Sequence, residues 1–114
     1  MALALRTVLI PVADLDAAID FYTDGLGLEV KFRDGDRYLA LDGGACTLAL
    51  ATADEHPAPD GVAVAFKADD VAEAVRVLVA AGAEVVRPPS RGDHEMRALL
   101  HDPAGTALVV YGPR

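Results

Sequence analysis

The chain has 114 residues, of which 53% are hydrophobic and 25% are charged, so it can bury a packed core and is not expected to be disordered. Its formal net charge of −8 argues against a nucleic-acid partner, because phosphates would be repelled rather than neutralised. The sequence shows no bilayer-length apolar run and no export signal, and its one cysteine cannot form an internal disulfide, so we expect a cytoplasmic protein with no membrane partner.

The first part of the chain predicts a strand, a helix and three further strands. Residues 5–11 are rich in β-forming side chains, and Pro11 marks an end or an edge. Asp14 can cap a helix whose apolar residues recur at helical spacing until Gly25 and Gly27 stop it. Two turns that contain glycine then separate strands predicted at about 28–33, 37–42 and 46–52.

A polar linker with two prolines, residues 53–60, precedes a second part in which the same order of elements returns. Residues 61–67 predict a strand, and Asp70 with Glu73 predicts a capping box that opens a helix, which Gly82 ends. Turn sequences at 88–92 and 102–105 separate the last strands, which we expect near 84–87, 95–101 and 105–111.

The two parts repeat one sequence pattern. VLIPVAD at 8–14 matches VAFKADD at 64–70, and RYLALD at 37–42 matches RALLHD at 97–102. A repeat of this length is one supersecondary module used twice. The sequence therefore predicts an α+β fold of two tandem βαβββ modules, about 1–52 and 61–114, which form one domain over residues 1–114 and share a cleft.

The order of these motifs resembles the vicinal oxygen chelate superfamily, which includes glyoxalase I, extradiol dioxygenases, fosfomycin-resistance enzymes and bleomycin-resistance proteins. The resemblance covers nearly the whole chain and implies a curved mixed sheet around the cleft, with the helices on its outer face. It also implies a divalent metal ion, held by His, Gln or Glu at four strand positions. The matching residues are Asp14-Leu15, Ala18, Phe21-Tyr22, Leu26-Gly27-Leu28, Phe66, Asp69-Asp70-Val71 and Asp102-Pro103-Ala104-Gly105-Thr106.

Counted onto this chain, the four ligand positions implied by the resemblance fall on Thr7, Ala49, Ala63 and Val109. Alkyl side chains cannot coordinate a cation, and one neutral hydroxyl is a poor ligand. The spacing of the three histidines puts no two of them on one strand or helix face. We therefore expect no metal ion and no other cofactor.

Strand alternation predicts which side chains would line the cleft if Thr7 faces it. The lining is small and apolar, with Lys67 and Tyr111 as polar groups near its ends; the alternative, favoured for each residue taken singly, is that it fills the interior of the sheet. Arg37 and Arg97 are equivalent in the repeat, so they could face an anionic group from two sides or be solvated strand ends. The predicted lining residues are Thr7, Leu9, Ala49, Ala63, Ala65, Lys67, Arg97, Val109 and Tyr111.

His101 is a candidate for acid/base catalysis, because the pKa of imidazole lies near neutrality. The repeat aligns it with Leu41, so an imidazole would replace an apolar strand residue; the alternative is a rim histidine bonded to turn backbone. The sequence names no acidic partner for it. The acidic, histidine-bearing segments 54–56 and 93–95 are interpreted as solvated, and Cys46 as a buried strand thiol.

These observations favour a metal-independent small-molecule-binding protein that sequesters an antibiotic or a hydrophobic metabolite. The alternatives are a metal-free isomerase or lyase that uses the same cleft, a metalloenzyme whose ligands lie elsewhere, and a regulatory binding module. In each case we expect a homodimer, because a small chain with exposed sheet edges buries limited area.

Overall fold

The computed structural model describes residues 3–114 and confirms the α+β fold and the two βαβββ modules. The chain divides into two compact units that correspond to these modules. One contains residues 7–62, and the other contains residues 63–114 together with the beginning of the first strand, up to Arg6. Within residues 3–114, no helix has the length and apolar character that a membrane span needs. The elements are β1 (Ala4–Pro11), α1 (Leu15–Asp20), a π-helix (Phe21–Gly25), β2 (Glu29–Asp34), β3 (Tyr38–Asp42) and β4 (Thr47–Ala51), then β5 (Ala63–Lys67), α2 (Val71–Ala80), β6 (Glu84–Arg91), β7 (Met96–His101) and β8 (Ala107–Gly112).

The first module has strand order β2-β3-β4-β1, with β1 parallel to β4 and the other pairs antiparallel. As predicted, Asp14 caps α1, since its Oδ1 accepts a hydrogen bond from the Ala17 N–H at 3.3 Å. The helix buries its apolar stripe on alternate residues of β3 and β4. The fully packed core is Leu15, Leu39, Leu41 and Leu50.

The second module repeats this arrangement in the order β5-β8-β7-β6, with β5 parallel to β8. The Oδ1 of Asp70 accepts from the Glu73 N–H at 3.1 Å, but the Glu73 carboxylate does not complete the predicted capping box. It instead binds the guanidinium of Arg76, one turn along the helix. The core of this module is Ala68, Val71, Ala74, Val75, Ala98, Leu100 and Val110.

The first helix ends at Gly25 as predicted, but its last turn, from Phe21, is a π-helix rather than an α-helix. One predicted boundary was wrong. The predicted turn at 88–92 is largely strand, because β6 runs to Arg91 through both prolines. Since β6 is the outermost strand of its module and its register to β7 shifts twice, two missing N–H donors cost it little.

Cys46 also differs from expectation. It lies in the bend just before β4, which begins at Thr47, and its side chain is half-buried rather than enclosed in a strand. The Gly43 N–H donates to the Cys46 carbonyl at 3.0 Å, which closes the turn. The thiol is therefore part of a turn and not of the core.

Candidate ligand-binding face

In each module one face of the sheet packs against the helix and the other face points away from it. All the predicted lining residues lie on the face that points away from the helix. Val110, Leu100 and Ala98 pack against α2, so the residues that alternate with them point away from it. The register joins these into three rows across β5, β8 and β7, and we call this surface the helix-distal face of the second module. The rows are Lys67–Tyr111–Arg97, Ala65–Val109–Leu99 and Ala63–Ala107–His101.

In the first module the same reasoning places Thr7, Leu9 and Ala49 together, since Leu9 pairs with Ala49 in parallel register. The side chains of Leu9 and Ala49 are buried, and Thr7 is half-buried. In the second module Ala63, Ala65 and Val109 are buried as well. The accessible members of the predicted lining are therefore Thr7, Lys67, Arg97 and Tyr111.

The register corrects the sequence alignment of the two modules by one residue in β3 and β7. Ala40 pairs with Ala49, and Leu99 pairs with Val109, so Ala40 and Leu99 are equivalent. The error arose because the connection after β7 is one residue longer than the connection after β3. Since a one-residue slip moves a side chain to the other face of a sheet, the difference matters.

This correction shows that two predictions were wrong. His101 corresponds to Asp42, a polar strand end, and not to the apolar Leu41. Arg97 corresponds to Tyr38, so Arg37 and Arg97 are not a symmetric pair. Each arginine has a local carboxylate instead: Arg37 lies 3.1 Å from Asp34, and Arg97 lies 3.1 Å from Glu95.

The donor atoms at the four implied metal positions do not fit a divalent cation. Ala49, Ala63 and Val109 offer only carbon, and they expose 0%, 0% and 4% of their surface. Thr7 offers one neutral hydroxyl. Among residues 3–114 there is also no group of three or more His, Cys, Asp or Glu side chains arranged to hold a metal ion. The family's metal chemistry therefore has no ligand set at these positions.

The Lys67–Tyr111–Arg97 row forms a polar rim at one end of the helix-distal face. Burial raises the pKa of the Tyr111 phenol, nearby Glu95 raises it further, and Arg6 lowers it. The phenol is therefore protonated at neutral pH and can donate a hydrogen bond. The Nε of Arg97 donates to Glu95, and this ion pair is half-exposed.

His101 lies at the opposite end of the same face and has an acidic neighbour. Glu84 is its cross-strand partner in the β6–β7 pair, and the Glu84 Oε1 lies 3.8 Å from the His101 Nδ1. The next residue, Asp102, closes the turn by accepting from the N–H groups of Ala104 and Thr106. Sequence reasoning missed Glu84 because the pairing depends on the register of a strand with two irregularities.

The prediction for His56 was wrong. We interpreted 54–56 as solvated, but His56 is 4% exposed. Its Nδ1 accepts from the Ala58 N–H at 3.0 Å, so its Nε2 carries the proton and donates to the Leu9 carbonyl at 3.1 Å. The ring thus holds the connecting segment, the linker at residues 53–60, against β1. By contrast, the other acidic segment, 93–95, has the expected hairpin turn with His94 exposed.

The net negative charge belongs to one module. Residues 7–62 hold three Lys or Arg and eleven Asp or Glu side chains, whereas residues 63–114 with Arg6 hold seven of each. The whole formal charge of −8 thus belongs to the first module. An anionic ligand would meet a locally balanced surface on the second module.

Comparison with known proteins identifies the family. Residues 4–110 match the model of the glyoxalase/bleomycin resistance protein/dioxygenase superfamily. An uncharacterised protein of Mycolicibacterium smegmatis is 43% identical over 109 residues, 96% of this chain and 93% of that protein. A hypothetical protein of Bacillus halodurans has a TM-score of 0.80 at 18% identity, with coverage of 100% of this chain and 96% of that chain. A variant of methylmalonyl-CoA epimerase from Streptomyces coelicolor, in complex with 2-nitronate-propionyl-CoA, has a TM-score of 0.75 at 25% identity, with coverage of 98% of this chain and 99% of that chain. The chain therefore belongs to the glyoxalase/bleomycin resistance protein/dioxygenase superfamily.

Proposed function

We propose that this chain is a small-molecule-binding protein of its superfamily that holds an antibiotic or a metabolite without a metal ion. One observation carries the proposal: the residues at the implied ligand positions are Thr7, Ala49, Ala63 and Val109, and three of them have no donor atom. On the second module's helix-distal face the middle row is apolar and buried, so a ligand would meet the polar groups at its two ends.

The test is a thermal-shift screen of small metabolites and antibiotics against chelator-treated protein, with and without zinc, nickel, cobalt or manganese ions. We expect at least one compound to raise the melting temperature equally with and without metal, because binding to the native state stabilises it. Elemental analysis of the untreated protein should find far less than one metal ion per chain. Stoichiometric metal, or ligand binding that appears only when metal is restored, would refute the proposal.

A second candidate is a metal-free acid/base enzyme, and the His101–Glu84 pair favours it. A carboxylate beside an imidazole can orient the ring for proton transfer. An epimerase among the similar structures is consistent with proton transfer, although that activity is a property of that protein.

The His101→Ala variant separates the two candidates once a ligand is known. Under the binding function we expect its affinity to change less than about threefold and the ligand to be recovered unchanged. Under the enzymatic function the ligand is converted, and the variant loses at least about a hundredfold in turnover while affinity persists. Asp42→Ala, at the equivalent position of the first module, is the matched control and should affect neither quantity.

Two further expectations stay predictions. The homodimer rests on the small size of the chain and on apolar side chains that are exposed in the described residues, such as Phe21 and Phe32. The cytoplasmic location rests on the single cysteine and on the sequence features already given.

A further inference from the structure

We propose that the polar rim of Lys67, Tyr111 and Arg97 binds the anionic group of the ligand, a carboxylate or a phosphate. This inference rests on the proposed small-molecule-binding function and adds the chemical class of the ligand. It also assigns a place to the charged group of the ligand: the rim, at the opposite end of the face from His101.

The register brings the three side chains into one row. Lys67 is the parallel partner of Tyr111 in β5 and β8, and Arg97 is its antiparallel partner in β7. Neighbouring strands lie about 4.8 Å apart, and paired residues present their side chains on the same face. A phenol therefore stands between an ammonium group and a guanidinium group.

The donors in this row have capacity left for a ligand. Within residues 3–114, Lys67 makes no ion pair and no side-chain hydrogen bond, and its side chain is exposed. Arg97 uses its Nε on Glu95, which leaves the two terminal nitrogens for an acceptor with two oxygens. The protonated phenol of Tyr111 adds a neutral donor, so the row matches the several oxygens of a carboxylate or a phosphate.

The charge balance of the row favours an anion. Lys67 and Arg97 bring two positive charges and Glu95 brings one negative charge, so the row keeps an excess positive charge that a monoanion would neutralise. Arg6 is close enough to lower the pKa of Tyr111, and it adds positive potential. The second module as a whole is neutral, with seven basic and seven acidic side chains, so such a local excess is not a general property of its surface.

The other module provides an internal comparison. The equivalent row of the first module is Pro11–Ala51–Tyr38, as its register shows, and it contains no cation. The fold alone therefore does not require charged residues at this end of the sheet. The cations are specific to the second module, which is the module with no net negative charge.

The experiment uses matched pairs of probes on chelator-treated full-length protein, followed by NMR. Benzoate is compared with benzamide, and phenyl phosphate with phenol, in sodium chloride adjusted to constant ionic strength. We expect benzoate and phenyl phosphate to cause saturable shifts at Lys67, Tyr111 and Arg97, and the neutral probes to bind at least about tenfold more weakly.

Variants localise the effect. Lys67→Met and Arg97→Gln should each weaken the binding of phenyl phosphate about tenfold, because each removes a charged donor from an accessible position. Arg76→Gln removes the same charge from α2, which packs on the opposite face, and should leave the affinity unchanged. Equal losses in all three variants would reveal a general charge effect and overturn the inference.

The outcomes separate this inference from the proposed function. If neutral and anionic probes bind the metal-free protein equally well, or if the anions shift signals elsewhere, the rim is not an anion site, although small-molecule binding stands. If the probes bind only after metal is restored, the proposed metal-free function fails, and the same variants in the metal-loaded protein still decide the role of the rim. If no probe binds under either condition, the inference is wrong.

Discussion

Gly112→Ala is expected to destabilise the protein by about 2–4 kcal/mol, because the new methyl group would overlap main-chain atoms that cannot move away. A Cβ at Gly112 would collide with the carbonyl oxygen of Ala68 and lie 3.2 Å from Cγ2 of Val71. The Ala68 N–H donates to the Tyr111 carbonyl at 2.8 Å, which holds the two backbones together at this point. Relief of the overlap would therefore break a hydrogen bond and displace the first residue of α2 from the core.

Urea denaturation followed by circular dichroism measures this effect against a matched control. A Cβ at Gly61 would meet nothing within 4 Å, and Gly61 is not among the glycines with positive φ. Gly61→Ala should therefore change the free energy of unfolding by less than about 0.5 kcal/mol, or raise it slightly by restricting the unfolded chain. Similar midpoints for the two variants would show that the end of β8 can yield, contrary to the geometry.

The order of elements was predictable because its signals are local. An aspartate cap, apolar residues at helical spacing and glycine turns are each contained in a few residues, and the repeat presents them twice. The course of β6 was not predictable, since prolines break a strand only where its N–H groups are needed. Whether they are needed depends on the position of β6 as the outermost strand of its module, which no local pattern reveals.

Which of the candidate side chains share a face was predictable, because strand alternation alone decides it. Once Thr7 and Val109 were placed, a period of two assigned their neighbours to one face of each strand, and the register shows that these residues do share a face. The sequence alignment of β3 with β7 was wrong by one residue, because the turn after β7 is one residue longer than the turn after β3. The similarity of the two sequences hides this shift. Contacts between residues far apart in sequence, such as that of Glu84 with His101, depend on strand register and could not be predicted from the sequence.

The connecting segment is the place where the tertiary structure most clearly overrides a polar sequence. His56→Leu should lower the free energy of unfolding by about 2–4 kcal/mol, although the position lies outside every helix and strand. Leucine would leave the buried carbonyl of Leu9 without its donor and the N–H of Ala58 without its acceptor. An unsatisfied buried group costs about 1–3 kcal/mol, since it loses water and gains no partner, and the partly buried Ala58 N–H falls at the lower end of that range.

Two conservative variants divide this effect between the two ring nitrogens. The amide nitrogen of glutamine reaches about as far as Nε2, so His56→Gln should keep the bond to Leu9 and lose the bond to Ala58. The amide oxygen of asparagine lies near the position of Nδ1, so His56→Asn should do the reverse. Each should therefore lose roughly half of what His56→Leu loses in urea denaturation, whereas His94→Leu, at the exposed hairpin, should lose almost nothing. If leucine were tolerated as well as glutamine and asparagine, packing rather than hydrogen bonding would fasten this segment to β1.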